Sequence, residues 1–70
     1  MNARDWLAAY AEKLGVDPPS KDELKAVLDL AAVAAHASER IAAPVACWLA
    51  ARAGVGLERG IELAREVEES

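Results

Sequence analysis

The sequence predicts an all-α fold, a compact bundle of four short helices with helix two central. Three observations carry that expectation. Apolar residues recur three and four positions apart in four successive segments, the spacing of one helical face. Gly15, Pro18-Pro19, Pro44 and Gly54-Val55-Gly56 punctuate the joints between those segments. No run alternates apolar and polar residues between turn signals, as a half-buried strand would.

The first helix starts behind Asn2, whose side chain suits a cap, with Asp5 in the favourable first turn. Trp6, Leu7, Tyr10 and Leu14 form its apolar face, and Gly15 supplies a left-handed stop. Val16-Asp17-Pro18-Pro19 is a stiff connection, because neither proline continues a helix. Ser20 and Glu23 then form a capping box, and the second helix runs from about Lys21 to about Arg40. Its apolar residues spread over a wide arc. Leu24, Val27, Leu28, Ala31 and Ala35 lie on one side, and Leu30, Val33, Ala34 and Ala37 on another. A helix with so wide a face packs against neighbours on two sides, which makes it the central one.

Ala43 precedes proline and is biased away from helix, so it is the expected cap, with Pro44 at the first position of the third helix. That helix carries Val45, Trp48 and Leu49 inward and ends near Ala53 at the glycines. A fourth runs from about Leu57 to about Glu68, with Leu57, Ile61, Ala64 and Val67 inward. Surface pairs are expected between Glu62 and Arg65 and between Arg65 and Glu69. Gly60 sits one turn into this helix, where it favours close packing.

Seventy residues make one domain, residues 1–70, and a core of that size is thin. The chain is 54% hydrophobic, which excludes disorder by composition. It holds seventeen alanines and no Phe, and each alanine buries little area. The core therefore rests on Trp6, Leu7, Tyr10, Leu14, Leu24, Val27, Leu28, Leu30, Val33, Ile41, Val45, Trp48, Leu49, Leu57, Ile61 and Val67. A homodimer would enlarge it.

The net charge of −4, with acids beside nearly every base, argues against nucleic acid. Charges interrupt every apolar run, so no membrane span is expected. The N-terminus has an acid and no long apolar run, unlike a secretory signal. A single cysteine excludes an internal disulfide and fits a reducing compartment, and the expected location is cytoplasmic.

The most specific stretch is Ala35-His36-Ala37-Ser38-Glu39-Arg40-Ile41-Ala42-Ala43-Pro44, a corner between two helices. His36, Glu39 and Arg40 are the candidate binding residues, since His36 shares a helical face with Arg40 and lies three from Glu39. The structural alternative starts from Ala43, which has no side-chain acceptor for the first N–H groups of the third helix. His36 or Glu39, folded over the corner, would supply one, and Arg40 would bond the last carbonyls of the second helix. This structural reading is the expectation. No metal is expected: His36-x-x-Glu39 occurs once, in the reverse of the dimetal order, with no second His. Cys47 lies in an apolar run and reads as an inert thiol rather than a nucleophile. Gly54-x-Gly56-x-x-x-Gly60 is one residue too long for a dinucleotide loop and follows a helix. Trp6 and Trp48 read first as core anchors, and as partner surface wherever they are exposed.

Leu28-Asp29-Leu30-Ala31, followed by Ala35-His36-x-x-Glu39-Arg40-x-Ala42-Ala43-Pro44, resembles the core motif of a small uncharacterised helical domain family best known from actinobacteria. Its members stand alone or are appended to proteins resembling molybdenum-cofactor guanylyltransferases. Asp5-Trp6-Leu7 and Leu14-Gly15-Val16 are also similar to the family's start, so the resemblance runs from about Asp5 to Gly54. Val45-Ala46-Cys47 departs from it, replacing a polar position. The resemblance implies an association with molybdopterin guanine dinucleotide formation but no reaction. The expected function is thus an accessory or protein-interaction module rather than an enzyme, with no cofactor of its own. Its partner would be a protein such as a guanylyltransferase-like enzyme, reached through an alanine-rich face or the His36 corner. The alternative is a small-molecule binder that holds a pterin or nucleotide phosphate at the His36/Arg40 corner, near a helix N-terminus.

Overall fold

The computed structural model describes residues 1–69, Glu68 by its backbone alone. Four helices follow one another: α1 Ala3–Leu14, α2 Lys21–Ala37, α3 Ala42–Ala53 and α4 Leu57–Glu69. Among the described residues there is no strand.

The ends of α1 are set as the sequence dictates. The Asp5 N–H donates to Asn2 Oδ1 at 2.8 Å, and the Trp6 N–H donates to the Asn2 carbonyl at 3.0 Å. At the other end Gly15 adopts φ 76°, a left-handed conformation that costs a residue without Cβ nothing. The N–H groups of Gly15 and Val16 then return to the carbonyls of Glu12 and Ala11 at 3.1 and 3.0 Å, closing a Schellman motif. The start of α2 is equally defined. The Glu23 N–H donates to Ser20 Oγ at 3.1 Å and the Ser20 N–H donates to Glu23 Oε1 at 2.8 Å, both arms of the capping box.

The corner after α2 departs from expectation. α2 stops at Ala37 instead of running to Arg40, and Ser38 is the reason. Its N–H and its hydroxyl both donate to the Ala34 carbonyl, at 3.2 and 3.1 Å, while its backbone leaves the helix at φ −140°, ψ −99°. A serine that satisfies a carbonyl locally gives the backbone an exit from the helix. The α3 helix then begins two residues before Pro44, with Ile41 rather than Ala43 as its cap. A tight turn fixes this: the Ala42 and Ala43 N–H groups donate to the Glu39 and Arg40 carbonyls at 2.9 and 3.1 Å. Those bonds override the bias of Ala43 against helix. Pro44 falls at the third helical position, where its missing N–H is no loss.

α2 packs against α3 on one side and α4 on the other, as its wide apolar arc requires. α1 flanks the start of α2, where Leu7, Ala8, Pro18, Pro19 and Leu24 line a hollow of about 310 Å³. The joint of α2, α3 and α4 is Leu30, which is 2% exposed, and Gly60, also buried. Ala11 is the other buried apolar residue among those described.

The core is therefore smaller than the apolar pattern predicts. Leu7, Leu24, Val27, Val33, Leu57 and Ile61 are half-buried. Trp6, Tyr10, Leu14, Leu28, Ile41, Val45, Trp48, Leu49 and Val67, all expected inside, are exposed. The cause is geometric: each of these residues sits on an apolar helix face, but a 70-residue chain has too few helices to cover all of those faces. The ion pairs also shift. Arg59, not Arg65, pairs with Glu62 at 2.9 Å and reaches Glu66 at 3.8 Å, and Lys25 pairs with Asp29 at 3.0 Å. All are solvent-exposed, so each contributes a few tenths of a kcal/mol at about the level of an exposed helical pair.

Candidate functional site

The α2–α3 corner presents His36, Glu39 and Arg40 to solvent. His36 lies in the last turn of α2. No side chain caps α3, so neither His36 nor Glu39 plays the capping part foreseen for it. The turn bonds engage the Ala42 and Ala43 N–H groups and Pro44 has none, so these three positions need no side-chain acceptor. Among the described residues no side-chain hydrogen bond or ion pair joins His36, Glu39 and Arg40 to one another. They share a corner, not a cleft.

The thiol of Cys47 faces α2, with Sγ 3.9 Å from the Val27 carbonyl. Partial burial pushes its pKa up, which suppresses the nucleophilic thiolate. Among the described residues no three His, Cys, Asp or Glu side chains gather where they could hold a metal ion. No helix among them is long and apolar enough to cross a membrane.

The conspicuous surfaces are apolar. Along α3 and its cap, Ile41, Val45, Trp48 and Arg52 fall on one face at intervals of four, three and four. Trp48 is 57% exposed, and the Arg52 guanidinium lies 5.1 Å from its ring centroid. That pairing is a cation–π contact of about 0.5–1 kcal/mol at an exposed site. On α1, Trp6, Tyr10 and Leu14 form a second exposed stripe, and the Trp6 and Tyr10 rings sit 5.1 Å apart, tilted by 32°. Both tryptophans are thus where the sequence reading would make them partner surface.

A groove of about 560 Å³ opens between α2, α3 and α4. Leu30, Val33 and Ala34 form its α2 wall, Ala46 and Ala50 its α3 wall, and Leu63 its α4 wall. Among the described residues no charged side chain lines it, and His36, Glu39 and Arg40 are not on its wall. Sequence reasoning missed this groove, although its signal was present. Ala34, Ala37, Ala42, Ala46, Ala50, Ala53 and Ala64 all face it, and alanine leaves open the space that a larger side chain would fill.

No curated protein and no solved structure matches the chain. A family model covers residues 1–70 in full. The chain belongs to the family described as Domain of unknown function (DUF6457).

Proposed function

We propose that this chain is a small docking module that attaches to a larger protein through the outer face of α3. The observation that carries the reading is Trp48, exposed and overlaid by Arg52, one turn beyond Val45 and two beyond Ile41 on the same face. Trp and Arg are the side chains most enriched where binding energy concentrates at protein interfaces. The partner we infer is a molybdenum-cofactor guanylyltransferase-like enzyme. That inference comes from the resemblance of the Ala35–Pro44 motif to domains appended to such enzymes. By the same resemblance we take the setting to be actinobacterial, and from the lone Cys47, which suits a reducing compartment, we infer the cytoplasm. The module supplies attachment and leaves the transferase chemistry to its partner.

Titration of the chain against a molybdenum-cofactor guanylyltransferase, followed by Trp fluorescence and calorimetry, tests this. Saturable binding that Trp48→Ala weakens about 30-fold, the ~2 kcal/mol of an interface anchor, is the expected result. Absence of binding, or a Trp48→Ala variant that binds as tightly as the parent, overturns it. So does a native mass of the isolated chain that carries a pterin nucleotide or a metal, which would turn attention to His36, Glu39 and Arg40.

A further inference from the structure

The second apolar stripe and the open groove point to a partner of a different kind. A folded monomer of 7.4 kDa exposes about 4,200 Å² by the usual surface–mass relation, whereas this chain exposes 5655 Å². The excess is about 1,450 Å² per copy on that relation. Two copies would bury at most about 2,900 Å² of it, the Trp48 face included, and a stable interface needs about 1,200–2,000 Å². The dimensions agree: the radius of gyration is 12.7 Å, where about 11 Å is usual for 70 residues.

We propose that the groove between α2, α3 and α4 is closed by α1 of a second copy, reciprocally, in a twofold dimer. The groove suits an apolar helix face, because its walls carry no charge among the described residues. α1 offers one: Trp6, Tyr10 and Leu14 lie four apart along its exposed side and are 54, 49 and 58% exposed. Anchors at that spacing are how an amphipathic helix lies in a hydrophobic groove. Within its own chain α1 sits at the start of α2, away from the groove walls. Pairing stripe with groove removes uncharged surface on both sides, so the net charge of −4 on each copy stays outside the contact. The Trp48 face is not used, so the dimer and the docking surface are independent.

Sedimentation equilibrium and native mass spectrometry across nanomolar to high micromolar concentrations provide the test, on the parent chain and two charge insertions. Leu49→Glu alters the groove and Tyr10→Glu alters the stripe. Both residues are half exposed, so the helical circular dichroism of each variant should match the parent and show that it has folded. The parent is expected at twice the 7.4 kDa monomer mass, and each variant as a monomer. An equimolar mixture of the two variants should regain heterodimer, because it contains one intact stripe and one intact groove. Trp48→Ala should leave the parent dimer unchanged. A monomeric parent at every concentration overturns the proposal. So does a dimer that survives either charge insertion, or a mixture that stays monomeric throughout.

Discussion

Leu30 and Gly60 meet at the centre of the fold: a Cβ placed on Gly60 would lie 3.9 Å from Leu30 Cδ2. It would also lie 3.6 Å from Ala50 Cβ and 3.8 Å from Val55 Cγ2. This one point joins α2, α3, the α3–α4 link and α4. All three distances are ordinary van der Waals contacts, so close packing here does not require the glycine.

Gly60→Ala is therefore expected to stabilise the protein. The position is helical, its φ is not in the left-handed region, and the added methyl would complete contacts instead of forcing them. Alanine in a helix interior is favoured over glycine by roughly 0.5–1 kcal/mol. In a domain of this size that is about 2–8 °C in Tm. A thermal melt followed at the helical dichroism band checks it, and a fall in Tm would show that the three-helix joint is tighter than these distances.

Leu30→Ala should have the opposite and larger effect. Leu30, at 2% exposure, is the one large apolar side chain among those described that is buried. Truncating a buried leucine costs about 2–5 kcal/mol. A single small core supplies little more than about 3–5 kcal/mol in total. The variant should lose its cooperative thermal transition. Leu28→Ala, two residues away but 59% exposed, should keep it. Equal losses from the two would contradict the burial pattern.

Helix ends were legible in the sequence wherever a single side chain or its absence decides them. Asn2, Gly15, Ser20 with Glu23, and Gly54 all act as their chemistry requires. The end of α2 was not legible, because Ser38 is compatible both with a helix and with leaving one; the two hydrogen bonds it donates to the Ala34 carbonyl settle which. Burial was the least legible feature. Periodicity shows that Trp6, Tyr10 and Leu14 share a face, and that Val45 and Trp48 share another. It does not show whether the chain has a helix left to cover either face. The site suffered in the same way. The Ala35–Pro44 string is distinctive, yet exposure of His36 depends on where the turn places it.

Glu23 gives α2 a dependence on acid. The Ser20 N–H donates to its carboxylate and the Ser20 hydroxyl adds to the effect, and together they hold its pKa below the ordinary value of 4.5. The folded chain thus favours the ionised form. The resulting stabilisation is present above the unfolded carboxylate pKa and is lost as pH falls through the lower folded value. Glu23→Gln keeps an acceptor for the Ser20 N–H but carries no charge to lose. The Tm difference between parent and variant should be widest near neutral pH and close in the acid range. A difference that stays constant across that range would show that the carboxylate charge is irrelevant to the cap.

His36→Ala separates a structural corner from a functional one. A histidine that capped α3 would leave an orphan N–H behind when removed, at a cost of about 0.5–2 kcal/mol. Here the turn through Glu39 and Arg40 already engages the Ala42 and Ala43 N–H groups, and Pro44 has none. His36 is exposed and its side chain makes no hydrogen bond among the described residues. The Tm of His36→Ala at neutral pH should accordingly match the parent within the error of the melt. Ser38→Ala, two residues further on, should lower it, because the hydroxyl bond to the Ala34 carbonyl is lost. If instead His36→Ala destabilised the chain and Ser38→Ala did not, the imidazole would be part of the corner's structure. With the predicted order, the conspicuous His36 of the sequence motif is free of any duty to the fold, and whatever it contributes is made outside this chain.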